Sequence, residues 1–370
     1  MVRKAFSRAD QSTLGTWWWT IDHWLLGSAI ILLILGALLG LSASPMVACR
    51  LGLDYFFFVK RHLMVLIPAL LVMLTISLTS IRQMRYIAWV VFFFSLAFMM
   101  LTPFMGSEIK GAKRWVSLFC FSLQASEFIK PSFAIVAAWL FSKNALGYKS
   151  KNWGISAFFF ALILVLLLLQ PDFGMTFVVS LIWLTQLFIA GLPFRWVTIL
   201  IGLGFIGVVA AYFTFSHVAQ RIDNFLSGGE TEQFQVTQSL EGLRAGGLVG
   251  VGPGEGVVKR HLPDAHADFI FSVAGEEFGY ILCIVIIILY LFIICRSFYH
   301  IYKSGNLFIV LALVGIIMQY ALQAFINIAS TVNLIPTKGM TLPFLSYGGS
   351  SLLGVSLGMG MLLCLTRKTD

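Results

Sequence analysis

The chain has 370 residues, of which 59% are hydrophobic and 11% are charged, and its formal net charge is +9. Soluble domains carry about 25% charged residues, so this composition excludes a soluble globular protein and indicates a polytopic membrane protein. A basic excess in such a chain favours contact with anionic lipid at one membrane face and does not favour nucleic acid.

Ten apolar segments are long enough to cross a membrane, which takes about 20 residues in a helix. They are predicted at 23–43, 62–80, 86–104, 124–142, 154–170, 174–191, 196–214, 269–294, 306–329 and 348–365. The fifth and sixth are separated only by Gln170, Pro171 and Asp172, so one long broken hairpin is the alternative. The sequence therefore predicts an all-α polytopic membrane protein of about ten transmembrane helices, forming a single domain over 1–370.

The distribution of charge predicts which side of the membrane each loop faces. An even number of spans puts both termini on one side, and basic residues before the first span and after the last indicate the cytoplasm. In this topology 13 Lys and Arg residues lie inside and 12 outside, so the number of basic residues hardly distinguishes the two orientations. The acidic residues are distributed unevenly, because only 3 of the 16 lie inside. We therefore expect a cytoplasmic tail over 1–22 and a large outer loop over 215–267, between spans seven and eight. The first apolar segment is too long for a cleavable signal peptide and is interpreted as the first span.

Charged residues precede and enter the fourth span. Residues 111–115 read Gly-Ala-Lys-Arg-Trp, and Glu127 and Lys130 follow at a spacing of three. On a helix this spacing puts both side chains on one face, where they can form an ion pair. Two interpretations stay open: a salt bridge that lets the helix start inside the membrane boundary, or a cationic group that lines a cavity for an anionic headgroup.

The break between spans five and six contains an acid flanked by proline and glycine. Non-helical backbone at this depth is tolerated only beside protein or a water-filled cavity. Asp172 therefore needs a partner, and Lys130 is the candidate. A structural ion pair and a direct substrate contact are both compatible with this pattern.

The outer loop has three parts. Residues 221–241 are polar enough for an amphipathic helix on the membrane surface. The glycine-rich loop, residues 246–256, predicts backbone that approaches a ligand, tight re-entrant turns, or a flexible connector. It is not a nucleotide-binding loop, because no Gly-Lys-Ser/Thr follows. Residues 259–269 then bring two basic residues, two histidines and two carboxylates together before span eight.

Asp268 stands at the junction between this loop and span eight. A carboxylate there, with cations nearby, suits a general base or an N-terminal helix cap. The histidine and carboxylate spacing fits no standard zinc pattern. Glu276 and Glu277 lie inside the span, where they need protein or water around them.

The last polar segment runs from 327 to 351. Its prolines, glycines and hydroxyls predict a re-entrant wall rich in hydrogen-bond donors, in which Lys338 is the cation. Such donors suit a phosphate or a sugar hydroxyl, and simple packing is the alternative.

Five of these segments together resemble the SEDS family, named for shape, elongation, division and sporulation. They are residues 111–115, 126–130, 170–174, 262–269 and 342–351, in the order of the family and along a chain of ten predicted spans. Residues 336–343, with Thr-Lys-Gly, resemble the division branch more than the elongation branch. The chain departs from the family at Ala125, where proline is usual, and at Ala267, where threonine is usual.

The resemblance implies a peptidoglycan glycosyltransferase that polymerises lipid II during septal wall synthesis. Lipid II is a disaccharide-pentapeptide carried on undecaprenyl pyrophosphate. Asp268 would be the catalytic base for the acceptor hydroxyl, and the reaction would invert the donor. Four cations would hold the pyrophosphate: Arg61, Lys113, Arg114 and Lys130. Glu127 and Asp172 would fix Lys130. The full expected substrate-binding set is Arg61, Lys113, Arg114, Glu127, Lys130, Asp172, His266, Lys338, Ser346 and Ser350.

The resemblance also implies partners and a location. A class B penicillin-binding transpeptidase, other division proteins and membrane lipid are expected, at the septum in the bacterial inner membrane, with no nucleic acid. A divalent cation, Mg²⁺ or Mn²⁺, would assist the leaving group, but no residue requires one. A lipid II flippase and a non-catalytic scaffold are the alternatives. The polar segments cluster on the outer face and no inverted repeat is evident, which favours the polymerase.

Overall fold

The structure is a computed structural model that describes residues 12–109, 112–118, 121–145, 151–214, 219, 223, 230–336 and 339–367. Over these ranges it is a helical bundle, with a short 3-10 turn at Val258–Arg260. The helices are α1 (Thr13–Thr20), α2 (His23–Arg50), α3 (Phe57–Leu78), α4 (Ile81–Met105), α5 (Ala125–Ala145), α6 (Lys151–Leu169), α7 (Phe173–Ile189), α8 (Phe194–Thr214), α9 (Glu230–Gly246), α10 (Ile270–Lys303), α11 (Leu307–Thr331) and α12 (Gly349–Leu365).

Each predicted span falls on one helix, α2 to α8 and α10 to α12, so the helical membrane fold is confirmed. Seven helices are long and apolar enough to cross a membrane by themselves, α7 and α12 are shorter apolar helices, and α5 is not among the seven. The number of ten spans therefore stays a prediction. Spans five and six are two helices, because α6 ends at Leu169 and Asp172 caps α7.

The centre of the bundle is built from α5, α11 and α12, which pack on one another and on α3, α4 and α7. Gln186 of α7 is buried and donates from Nε2 to Ala134 O (2.7 Å) and Leu311 O (2.9 Å), which links α7 to α5 and α11. Glycines allow close approach between the central helices: a Cβ at Gly354 would lie 2.8 Å from Glu127 O. Small residues of this kind are what packed membrane helices need at their contacts.

Helix α8 lies apart from this centre and packs mainly on α7. Its apolar side chains are exposed along its length, Phe205 by 70% and Phe213 by 81%. An apolar helix without a protein cover is stable only in lipid, so α8 is a lipid-facing element.

A small antiparallel sheet follows α4 and was not predicted from the sequence. Its strands are β1 (Ser107–Ile109), β2 (Ala112–Leu118) and β3 (Phe121–Leu123), with β2 in the middle. Strand β2 contains Lys113 and Arg114.

Helix α10 breaks at Gly279, whose φ is 75°. A continuous helix would pair the amides of Tyr280 and Ile281 with the carbonyls of Glu276 and Glu277. Here the glycine-rich loop makes those bonds instead. Tyr280 N donates to Gly247 O (2.9 Å) and Ile281 N to Leu248 O (3.3 Å), while Val251 N and Gly252 N donate to Glu276 O and Glu277 O (both 3.0 Å).

The glycine-rich loop is therefore a fixed pair of tight turns, and the flexible-connector interpretation is wrong. Its glycines are required by the close approach, because a Cβ at Gly246 or Gly250 would overlap the backbone of α10. The preceding helix, α9, begins at Glu230 and packs on α10 and α11, with Ser272 Oγ donating to Ser239 O (2.7 Å). Residues 230–241 of the predicted surface helix over 221–241 thus belong to α9, which is covered by protein on one face; residues 221, 222 and 224–229 lie outside the described ranges.

Both ends of the described chain meet at one end of the bundle. Arg367 Nε donates to Thr20 Oγ1 (3.1 Å), and Asp22 pairs with Arg296 (2.8 Å) and His300 (2.7 Å). Burial opposes the charge on Asp22, but hydrogen bonds from His300, the Leu25 amide and Arg296 outweigh it and hold its pKa well below the ordinary range. The orientation of the termini in the membrane stays a prediction.

Candidate functional site

The Asp268 loop, residues 261–268, ends directly before α10. It contains a tight turn in which Asp264, at φ 51°, accepts hydrogen bonds at its carbonyl from Ala267 N (2.9 Å) and Asp268 N (3.0 Å). Aspartate is one of the few residues that adopt this backbone conformation readily. The N-cap of α10 is Phe269 and has no side-chain capping bond, so the helix-cap interpretation of Asp268 is not supported.

The 339–348 loop holds the Asp268 loop through its backbone. Ser346 Oγ donates to Ala267 O (2.6 Å) and accepts from Leu342 N (2.8 Å). Tyr347 N donates to His266 O (2.9 Å). Two consecutive carbonyls next to Asp268 are thereby fixed. Direct contact of Ser346 with substrate stays a prediction, since its hydroxyl already makes these two bonds.

Asn327, at the end of α11, fixes Asp268 itself. The side chain is fully buried, and Nδ2 donates to Asp268 O (2.9 Å) and Met340 O (2.8 Å). One amide therefore ties Asp268 to the 339–348 loop. An amide at the end of an apolar span is a signal for this residue, but its role at the site was not predicted.

Gly339 brings the 339–348 loop against the carboxylate of Asp268. A Cβ at this position would lie 3.2 Å from Asp268 Oδ2, closer than neighbours usually tolerate. Lys338 precedes it in the chain and lies outside the described residues, so its predicted contact with substrate stays a prediction.

His266 forms a buried aromatic wall beside Asp268. Its ring lies 4.8 Å from Phe58 and 4.9 Å from Tyr347, centroid to centroid, and Nδ1 has no hydrogen-bond partner within the described chain. Burial lowers the pKa of His266 to about 4, while the charge of Asp264 opposes this shift and His62 adds to it. The imidazole is therefore neutral near pH 7.

Arg61 is the predicted cation that stands beside this wall. It is half-buried, with its guanidinium 5.3 Å from the centroid of the Phe57 ring. Burial raises the pKa of Tyr347, and the positive charge of Arg61 opposes that rise. The structure thus brings Arg61, His266, Ser346 and Asp268 together at one end of the bundle.

Arg114 and Asp172 form a second group. Arg114 Nε donates to Gln170 O (3.1 Å), its Nη2 donates to Pro171 O, and Nε lies 4.0 Å from Asp172 Oδ2. Asp172 also caps α7 by accepting from Met175 N (3.3 Å). In the described chain the ion-pair partner of Asp172 is therefore Arg114, and the prediction of Lys130 is wrong. The cause is β2, which carries Arg114 to the turn between α6 and α7.

Glu127 and Lys130 form the third group. Their ion pair, 2.8 Å, is confirmed, and both side chains are almost completely buried in α5. Ser350, at the start of α12, donates to Ser122 O (2.9 Å) and accepts from Gln124 N (3.0 Å), which fixes the chain just before α5. Lys113 is exposed on β2, opposite Glu108. Substrate contacts of all these residues stay predictions.

Metal ligands do not assemble here: no group of three or more His, Cys, Asp or Glu side chains suited to a metal ion occurs in the part of the chain that the structure describes. The site is built around the half-buried carboxylate of Asp268, with Arg61 beside its loop.

Comparison with known proteins identifies the family. A family model for FtsW, RodA and SpoVE, described as "Cell cycle protein", matches residues 23–370. This chain belongs to that family. The SEDS resemblance of the sequence motifs is thereby confirmed.

Relatives within the FtsW/RodA/SpoVE family cover almost the whole chain. The probable peptidoglycan glycosyltransferase FtsW of Caulobacter vibrioides is 42% identical over 98% of this chain and 94% of that protein. The protein of the same name from Hydrogenovibrio crunogenus is 34% identical over 95% of this chain and 92% of its own.

Solved structures of family members share the fold. A chain of a peptidoglycan synthase complex, in which polymerization and crosslinking are coordinated, superposes with a TM-score of 0.77 at 26% identity, covering 94% of this chain and 97% of that one. The rod shape determining protein RodA of Thermus thermophilus gives 0.69 at 25% identity, covering 95% and 98%.

Proposed function

We propose that this protein is a peptidoglycan glycosyltransferase of the FtsW type, which polymerises lipid II and releases undecaprenyl pyrophosphate. The observation that carries the proposal is Asp268, a carboxylate fixed through its own backbone by Asn327 and through its neighbours by Ser346 and Tyr347. Relatives at up to 42% identity in these comparisons carry the name of this activity.

In the proposed reaction the Asp268 carboxylate takes the proton of the 4-hydroxyl of the acceptor sugar. The hydroxyl oxygen then forms a bond to the anomeric carbon of the donor, on the face opposite the leaving group. The bond from that carbon to the pyrophosphate oxygen breaks, and undecaprenyl pyrophosphate leaves with the electron pair. The donor is therefore inverted. A positioned base contributes about 10²–10⁴-fold to the rate of such a step.

The cations around Asp268 suit the dianionic leaving group. Arg61 stands beside the Asp268 loop. Lys130 is held by Glu127, and Arg114 is held by the turn that contains Asp172. We assign pyrophosphate binding first to Arg61, because it stands beside the Asp268 loop, and then to Lys113, Arg114 and Lys130.

A lipid-linked substrate also bears on where the protein acts and how it is oriented in the membrane. We propose that the end of the bundle that carries Asp268 faces outward from the bacterial inner membrane at the septum. Both termini are then cytoplasmic. A transpeptidase of class B is the proposed partner, together with other division proteins. The fold shared with a chain of a polymerizing and crosslinking synthase complex supports that partner.

The test compares three proteins with their cognate transpeptidase and labelled lipid II on a glycan-length gel. Wild type and Asp54→Asn, a matched change at an exposed site, are expected to make polymer. Asp268→Asn is expected to make almost none while it keeps its fold. Normal polymer from Asp268→Asn would refute the assignment of the base. No polymer from any of the three would contradict the proposed function and leave lipid II transport and a non-catalytic scaffold as the alternatives.

A further inference from the structure

A buried charged cluster lies behind the Asp268 loop, on the first turns of α10. Glu276 is 2% exposed, and its carboxylate accepts hydrogen bonds from Val258 N (2.7 Å) and Lys259 N (2.9 Å). These two amides open the 3-10 turn that leads into the Asp268 loop. Both oxygens of Glu276 are thus used to hold backbone.

The other two charges form an ion pair within the same cluster. Lys259 Nζ pairs with Glu277 Oε1, and both side chains are at most 1% exposed. Lys259 Nζ also donates to Ser42 Oγ (2.9 Å) of α2, and Ser42 Oγ donates to Glu277 Oε1. The 258–260 turn is therefore joined by side chains to both α2 and α10.

Arg50, near the end of α2, adds a second connection. Its guanidinium donates to Arg260 O, and Nη1 lies 3.5 Å from Leu262 O. Residues 258–262 are consequently held on one side by α2 and on the other by α10. The far end of the Asp268 loop is held by Asn327, Ser346 and Tyr347.

Burying three charges is expensive, and well-packed apolar residues often give equal or greater stability. Stability alone therefore does not explain why these three charges are buried. Ion pairs and charge-assisted hydrogen bonds fix direction and distance, which apolar contacts do not. The element that these bonds orient is the turn from which the Asp268 loop starts.

We propose that Glu276, Glu277 and Lys259 are positioning residues for Asp268: they set the start of its loop relative to α2 and α10. The proposal rests on the proposed function, because it assumes that Asp268 acts on substrate. Only seven residues separate Arg260 from Asp268, so a shift at the turn is transmitted to the carboxylate. A displacement of about 1 Å at a reacting group costs about 10²-fold in rate.

The first test is Glu276→Gln, which keeps the shape of the side chain but replaces one acceptor oxygen with a donor that faces a backbone amide. We expect kcat for lipid II polymerisation to fall about 10- to 100-fold, with KM little changed. Glu255→Gln is the matched control, because Glu255 is exposed in the neighbouring loop. Wild-type kcat in Glu276→Gln would overturn the proposal.

The second test separates positioning from stability. Lys259→Met and Glu277→Met are each expected to lower the melting temperature, because each leaves the partner charge buried and unpaired. The double variant removes both charges and is expected to regain much of the melting temperature while its kcat stays low. Recovery of kcat together with stability would show that the cluster serves folding alone and would overturn the proposal.

Asp268→Asn is measured in parallel to distinguish two kinds of failure. If it polymerises normally, the assignment of Asp268 as the base fails, and the cluster has no base to position. If it is inactive while the cluster variants keep wild-type kcat, only the positioning proposal fails.

Discussion

At the scale of single residues, Asp268 is held by bonds to backbone atoms. Asn327 binds its carbonyl, Ser346 and the Tyr347 amide bind the two carbonyls before it, and Asp264 turns the chain toward it. These bonds fix the backbone that carries the Asp268 side chain. The position of the carboxylate is therefore sensitive to residues that do not touch it.

Asn327→Leu tests this dependence. It leaves two carbonyls without their donor, at a cost of about 1–3 kcal/mol each in the free energy of unfolding. We expect a lower melting temperature in detergent and a polymerisation rate at least about 10-fold lower, because the base is misplaced. Asn306→Leu is the matched control: it removes the α11 N-cap, at about 1 kcal/mol, far from the site. Equal polymerisation by both variants would contradict the positioning role of Asn327.

His266 predicts a pH dependence of stability. Its pKa is about 4 in the folded protein against an ordinary value of 6.5, so between these values the unfolded chain binds a proton that the folded chain does not. Stability is therefore complete above pH 6.5 and falls as the pH drops toward 4, by up to about 1.4 kcal/mol per pH unit. Melting temperatures across this range should fall less steeply for His266→Gln than for wild type. The exposed His261→Gln is the control, and identical slopes for wild type and His266→Gln would contradict the assignment.

The site residues differ in how far the sequence predicted them. The Glu127–Lys130 pair was predictable because a spacing of three residues on a helix fixes the contact. The partner of Asp172 was not, because Arg114 reaches it through a sheet between distant segments. Asn327 and the Lys259 cluster act across helices in the same way, and local spacing carries no information on such contacts.

At the scale of elements, the break in α10 and the glycine-rich loop are one unit. The loop supplies the hydrogen bonds that the helix loses at Gly279. Without these bonds, backbone amides and carbonyls of both elements would lack hydrogen-bond partners. Unpaired backbone groups are costly at a membrane boundary, so the two elements are expected to fold together.

Gly250→Ala tests this unit against Gly254→Ala. Both glycines have positive φ, 91° and 83°, so both variants carry a similar backbone strain. A Cβ at Gly250 would overlap Glu277 O, whereas a Cβ at Gly254 has no neighbour within 4 Å in the described chain. We expect Gly250→Ala to melt several degrees lower than Gly254→Ala and to lose polymerisation. Equal melting temperatures would show that the loop does not need its close approach to α10.

Long apolar elements were predictable from the sequence because hydropathy accumulates over a whole span. The sheet was not, since β1 and β3 have three residues each and show no useful alternation. The break in α10 was missed because Gly279 lies inside a predicted span, and a single glycine within a span does not by itself mark a break.

At the scale of the whole molecule, the site and the ends of the described chain lie at opposite ends of the bundle. Asp268, Arg61 and the supporting loops gather at one end, and Arg367 meets Thr20 at the other. An alternating-access transporter places its substrate site near the middle of the membrane. The distribution of polar residues therefore favours chemistry at one face over transport.

The central claim, that Asp268 removes the acceptor proton, is tested most directly by the rate of undecaprenyl pyrophosphate release in a single turnover. Wild type and Asp268→Asn are compared with the cognate transpeptidase, and lipid II binding is measured on the same samples. We expect the release rate of Asp268→Asn to be about 10²–10⁴-fold lower at unchanged lipid II affinity. Release at the wild-type rate would contradict the claim.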